Sequence, residues 1–223
     1  MSEGLQGSQP AAGRDEAMVF IVDDDPSMRQ ALTNLFESVG LIVEAFGSAA
    51  EILQAAPPEV PSCLVLDIRL PGLSGLELQS DLGKANIHTP IIFITGHADV
   101  PMTVRAMKGG AVDFLTKPVR DQDLLDAVQT AIERDRKRRE LEKTVSDVRS
   151  RFESLTTRER DILALVTSGL LNKQVAGELG LAEITVKIYR GQIMRKMGAK
   201  SLADLIRMSE MLGISRPKAG VQT

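Results

Sequence analysis

Apolar residues recur in two rhythms along this chain. Up to about residue 134, the short runs "MVFIV", "IVEAF", "CLVLD", "PIIFIT" and "AVDFLT" alternate with longer segments such as "PSMRQALTNLFESVG" and "DQDLLDAVQTAIERD". In the longer segments apolar positions return every three or four residues, the spacing of a helix face. Five brief apolar runs interleaved with helical patterns predict a parallel sheet covered on both faces, a doubly wound α/β domain over 17–134.

The rhythm then changes twice. The stretch "AIERDRKRRELEKTVSDVRSRFE" has neither Gly nor Pro and is rich in Arg, Lys and Glu, so it should prolong the last helix as a linker over 135–152. Leu141, Val145, Val148 and Phe152 form a heptad-like stripe in it, which suits a short coiled coil or an amphipathic helix folded against a domain equally well. Its "RKRR" cluster reads as a solvated helix face. From 153 to 215 the pattern predicts an all-α domain of four short helices, with Thr156 or Thr157 and Glu159 as an N-terminal cap and Gly169, Gly180 and Gly198 as stops. Within it, "NKQVAGELGLAEITVKIYRGQIMRKM" sets two helices around a tight turn at Gly180, the spacing of a helix-turn-helix. Val175, Ala176, Leu179, Leu181, Val186 and Ile193 would face its interior, and Lys187, Ile188, Arg190, Gly191, Arg195 and Lys196 the outside. Residues 1–16 read as a disordered leader and 216–223 as a tail.

Charge sharpens this division. The net charge of −3 averages two unlike parts: residues 1–150 hold 15 Lys and Arg against 23 Asp and Glu, and residues 151–223 hold 12 against 7. An acidic module is joined to a basic one. No apolar run approaches the roughly 20 residues of a membrane span, so a soluble protein is expected. The single Cys63 lies inside an apolar run, which excludes an internal disulfide framework and fits a buried thiol in a reducing compartment.

In doubly wound sheets, ligands gather outside the carboxyl ends of the strands. Those ends carry Asp23 and Asp24 after the first run, Asp67 after the third, Thr95 after the fourth and Lys117 after the fifth. Crowded carboxylates repel each other unless a cation relieves them, and an all-oxygen set suits Mg²⁺. Lys117 would balance an incoming phosphoryl group as a point charge, with Thr95 hydrogen-bonded to one of its oxygens. His97 reads as a solvated loop residue and His88 has no evident partner. Asp25, followed by Pro26, reads as a helix cap.

The set "VDDD", "LDIRLPGLSG" and "ITGHADVPMTVRAMKGGAVDFLTKP" resembles the receiver domain of two-component response regulators, a flavodoxin-like fold. The C-terminal segment resembles the LuxR-type DNA-binding domain, and the combination is similar to the NarL/FixJ class, nearest the FixJ type. The resemblance implies that Asp67 is the phosphoacceptor, that Asp24, Asp67 and the carbonyl of Arg69 ligate Mg²⁺, and that Asp23 helps through water. It makes Thr95 and Lys117 the switch hydroxyl and phosphate-binding lysine, places Phe114 at the rotating aromatic position and implies a cis Lys117–Pro118 bond.

Lys187, Ile188 and Gly191 match recognition-helix positions, with Arg190 beside them; relatives carry a base-contacting Lys where Gly191 stands. Lys173, Arg195 and Lys196 are assigned to phosphate contacts. The implied partners are a sensor histidine kinase, promoter DNA, a second copy of the chain joined through the face over 100–117 on phosphorylation, and RNA polymerase. Two rival readings are a Mg²⁺-dependent phosphohydrolase, which would need a catalytic Asp where Arg69 stands, and a phosphorylation-independent DNA-binding protein whose receiver is a dimer scaffold.

Overall fold

Each apolar run becomes a strand, and its period of two decides which side chains meet which helices. The computed structural model describes residues 16–56 and 58–214, so the expected leader, apart from exposed Glu16, and the tail lie outside the described residues. The elements of the first unit are β1 (Met18–Val22), α1 (Pro26–Ser38), β2 (Ile42–Phe46), α2 (Ala49–Gln54), β3 (Ser62–Asp67), α3 (Gly75–Lys84), β4 (Ile91–Thr95), α4 (Val100–Lys108), β5 (Asp113–Thr116) and α5 (Asp121–Glu153), the last running on beyond that unit. The sheet is all-parallel with order β2-β1-β3-β4-β5, and β3 and β4 are buried throughout.

Alternation along the strands splits the core in two. Val19, Ile21, Cys63, Val65, Ile92 and Ile94 pack with Leu32 and Phe36 of α1 and Leu124, Val128 and Ala131 of α5. Phe20, Val22, Leu64, Leu66 and Phe93 take the opposite face, with Ala49, Leu78, Leu82 and Ala106 from the other helices. Cys63 is fully buried, and desolvation, aided by the charge of Asp135, pushes its thiol far above the ordinary cysteine range.

The chain's contacts divide it into residues 1–139 and 140–223. The first unit thus reaches past the expected boundary at Arg134 and takes in Asp135 to Arg139. The "RKRR" cluster also departs from expectation. Lys137 is solvated, but Arg138 and Arg139 both hold Asp135, a carboxylate with no exposed surface.

The second unit contains the end of α5 and then α6 (Thr157–Thr167), α7 (Asn172–Leu179), α8 (Glu183–Met197) and α9 (Leu202–Met211). Thr156 is the N-cap of α6, in a reciprocal capping box with Glu159. Gly180 and Gly198 end α7 and α8 at φ of 63° and 68°, the left-handed backbone that favours Gly. Val175, Val186, Ile193 and Met197 are buried with Ile162, Leu163 and Val166 of α6, and Val148 of α5 joins the same core. The expected interior residues Leu179 and Leu181 pack at its margin.

Candidate functional site

Register alone brings the polar strand ends together. Val22 pairs with Leu66 across β1 and β3, which sets Asp23 beside Asp67. Asp67 pairs with Ile94, and Thr95 with Thr116, so Thr95 and Lys117 follow at the next two strand ends. Oxygens of Asp23, Asp24 and Asp67 all lie within 4.8 Å of one another; Asp23 and Asp67 are buried and Asp24 is exposed.

Lys117 binds two members of this cluster. Its Nζ donates to Asp23 Oδ2 and to Asp67 Oδ2, each at 2.6 Å. Burial opposes the lysine's charge, but hydrogen bonds to the two carboxylates outweigh it and hold Lys117 above the usual lysine pKa. Each acid spends its second oxygen on a backbone N–H: Asp25 donates to Asp23 Oδ1 and Arg69 to Asp67 Oδ1, both at 2.9 Å. Asp25 caps α1 by accepting from Ser27 and Met28, as its sequence context indicated.

The hydroxyl of Thr95 is fully buried and turned to the backbone of His97, with both contacts at 3.3 Å. Phe114 is half-buried and tilted against Phe93, ring centroids 6.3 Å apart. The Lys117–Pro118 bond is cis. Two participants escaped the sequence reading. Arg29 donates to the carbonyl of Asp23 at 2.7 Å. Gly75 packs so tightly on the end of β3 that any side chain there would strike its backbone.

On the second unit, Lys173, Lys187, Ile188, Gly191 and Arg195 are exposed, and the last four share the outward face of α8. Ile188 is 56% exposed and Ile184, one turn earlier, 63%, an apolar pair that only an external partner would cover. Ile184 was not singled out by the sequence. Arg190 is half-buried and donates to Asn172 Oδ1 at 2.6 Å, tying α8 to α7. Lys196 donates to Glu159 Oε2 at 2.7 Å. Burial disfavours the charge of Glu159, yet the bonds from Lys196 and Thr156 prevail and hold its carboxyl below the usual range.

Comparison with known proteins settles the family. The family described as "Response regulator receiver domain" matches residues 19–129, and "Bacterial regulatory proteins, luxR family" matches 153–209. The chain is 70% identical over 200 residues to Nodulation protein W of Bradyrhizobium diazoefficiens, covering 90% of this chain and 88% of that one. It is a response regulator.

Other relatives of this regulator include TodT of Pseudomonas putida, 44% identical over 88% of this chain and 86% of its own length, and FixJ of Azorhizobium caulinodans, 42% identical over 88% and 93%. Among solved structures it is similar to the response regulator StyR, with TM-score 0.79 and 49% identity over 87% of this chain and 98% of that one. Full-length FixJ from B. japonicum gives TM-score 0.53 and 38% identity over 89% and 98%. The acidic cluster therefore belongs to a receiver domain and the exposed face of α8 to a LuxR-type DNA-binding domain. Three carboxylates within ligand distance of one another, two of them facing an ammonium that offsets their repulsion, fit the hard divalent cation that receivers bind. No helix among the described residues is long and apolar enough to cross a membrane.

Proposed function

We propose that this response regulator is a cytoplasmic transcription factor switched by phosphorylation of Asp67, with a sensor histidine kinase as donor and double-stranded promoter DNA as target. The observation that carries the reading is Lys117 bridging Asp23 and Asp67 at 2.6 Å. It sets an ammonium beside the oxygen that would carry a phosphoryl group.

In the reaction, a carboxylate oxygen of Asp67 attacks phosphorus of the kinase phosphohistidine. The P–O bond forms as the P–N bond breaks, and the imidazole, already protonated on its other ring nitrogen, leaves as the neutral ring. No general base is required, because the nucleophile is already an anion. Lys117 turns from the carboxylates to the transferred group as a point charge, and Thr95 exchanges its His97 contacts for a phosphoryl oxygen. Mg²⁺ held by Asp24, Asp67 and the Arg69 carbonyl, with Asp23 through water, would screen the charge on the phosphoryl oxygens. Water later hydrolyses the acyl phosphate and restores Asp67.

The movement of Thr95, coupled to Phe114, favours a dimer through the face over 100–117, where Val100, Val104 and Met107 are exposed. Two copies of α8 then read two half-sites about one helical turn apart. Lys187, Ile188 and Gly191, with Arg190 beside them, approach base edges. Lys173 and Arg195 contact phosphates, and Lys196 does so only by sharing its charge with Glu159.

The test is intact mass after incubation with Mg²⁺ and acetyl phosphate. Wild type should gain one phosphoryl group, about 80 Da, and Asp67→Asn none. No gain in wild type, with a control receiver responding, would overturn the reading and favour a DNA-binding protein whose receiver is a scaffold.

A further inference from the structure

Helix α5 has a weak stretch. Between Ile132 and Val148, which anchor it to separate cores, every apolar residue is exposed or only half-covered, and Asp135 is the single buried residue. An isolated helix of that length is marginal in water even with good propensity. Salt bridges from half-exposed Arg136 and exposed Lys137 to Glu133 stay open to solvent and contribute little.

Asp135 lies near the start of this stretch with no exposed surface and both oxygens engaged. Its Oδ1 accepts from Arg138 Nη2 at 2.6 Å and Nε at 3.0 Å, and its Oδ2 from Arg139 Nε at 2.6 Å. The same Oδ2 accepts the backbone N–H of Ser62, the first residue of β3, at 3.0 Å. Arg139 continues to the carbonyl of Pro58 at 3.0 Å. One carboxylate thus gathers two consecutive guanidinium groups from the next helical turn and fastens them to the starting edge of the sheet. These bonds are charge-assisted and end on a carboxylate with no exposed surface, although both arginines remain half-exposed. Strand β3, which begins at this cluster, ends at Asp67.

We propose that Asp135, Arg138 and Arg139 form a latch that nucleates and stiffens the linker helix from the receiver side, so that the state of Asp67 reaches the DNA-binding domain through a helix instead of a frayed tether. The latch itself requires only the bonds above; its role in signalling rests on the function proposed for Asp67.

Hydrogen exchange on the full chain tests the latch directly. Asp135→Asn keeps the volume and one acceptor for the Ser62 N–H but loses the charge that holds both arginines. Amides of 136–147 should then exchange about tenfold faster or more, while β3 and β4 stay protected. Arg138→Gln with Arg139→Gln removes the arms instead and should speed the same amides. Unchanged exchange over 136–147 in both variants, or a uniform rise that includes β3 and β4, would overturn the proposal.

The signalling role is read as the ratio of DNA affinities with and without acetyl phosphate, on duplexes selected by phosphorylated wild type. The ratio should fall toward one in Asp135→Asn although intact mass shows normal phosphorylation. A ratio kept at the wild-type value would refute the signalling role. If wild type itself gives a ratio of one, the function proposed for Asp67 fails, and the exchange result still decides the latch.

Discussion

A Cβ on Gly75 would lie 2.4 Å from the carbonyl oxygen of Asp67. The start of α3 therefore rests directly on the backbone of the strand end that carries the proposed phosphoacceptor, and its N–H donates to Ile68 at 2.9 Å. Because the obstacle is backbone, no rotamer can relieve it. Gly75→Ala should cost about 1 to 3 kcal/mol, as overpacking does, and should also slow phosphorylation of Asp67 by displacing it. Urea denaturation reads the first effect as a lower midpoint; an unchanged midpoint would show that the strand end yields freely.

Removing Lys117 exposes the repulsion it now offsets. Lys117→Met leaves Asp23 and Asp67 face to face, so the metal-free receiver should melt lower and Mg²⁺ should restore more stability than it adds to wild type. The pH dependence of wild type follows from the raised pKa of Lys117. A lysine whose folded pKa exceeds its unfolded value stabilises fully below about 10.5 and loses that contribution as pH climbs through the folded value. Melting curves with EDTA and with Mg²⁺ decide the matter, and an equal or smaller Mg²⁺ response in the variant would contradict it.

In the second unit, Glu159 works in the opposite direction. Its folded pKa is depressed, so its contribution is present above the unfolded value near 4.5 and disappears as pH falls through the folded value. Glu159→Gln should flatten the acid limb of stability for this unit. The sequence's single tyrosine, Tyr189, packs against this core and makes its fluorescence a selective probe. A wild-type acid slope in the variant would rule Glu159 out as its source.

The same pair separates two neighbouring cations. Lys196→Met should lower stability by about 1 to 2 kcal/mol, because it leaves a buried carboxylate short of a partner, and should also weaken DNA binding. Arg195→Met should weaken DNA binding alone. Equal stabilities for the two variants would mean that Lys196 has no structural share.

Gly191 sits within α8 with nothing near its potential Cβ and with ordinary helical backbone. Gly191→Ala should therefore gain about 1 kcal/mol of helix stability, roughly 4 to 8 °C in the tyrosine-monitored transition. A lower melting temperature would reveal a contact that this glycine avoids.

Much of this arrangement was legible because it depends on period and order. Five apolar runs predicted five strands, and the residues just past them, Asp23, Asp67, Thr95 and Lys117, meet at one edge because parallel strands end together. The helix-turn-helix followed from Gly180 and its flanking apolar spacing. What escaped depends on side chains meeting distant backbone or buried partners. Asp135 lies in a run that reads as solvated helix surface, and its strand partner Ser62 is 73 positions away. Lys196 looks like any exposed cation until Glu159, 37 positions earlier, is found beneath it. Nothing in the sequence around Gly75 signals crowding, which arises only once β3 is in place.

Cys63 gives the receiver a clock of its own. The sequence holds one thiol, and it lies at the centre of the sheet, protonated and out of reach of reagents. A maleimide or disulfide probe added to the native protein can label only molecules whose sheet has opened. Under conditions where trapping outpaces reclosing, the labelling rate counts opening events in the untouched wild-type chain. Bound Mg²⁺, an acyl phosphate on Asp67 or a substitution in the latch would each register as a change in that count, with no label engineered into the chain.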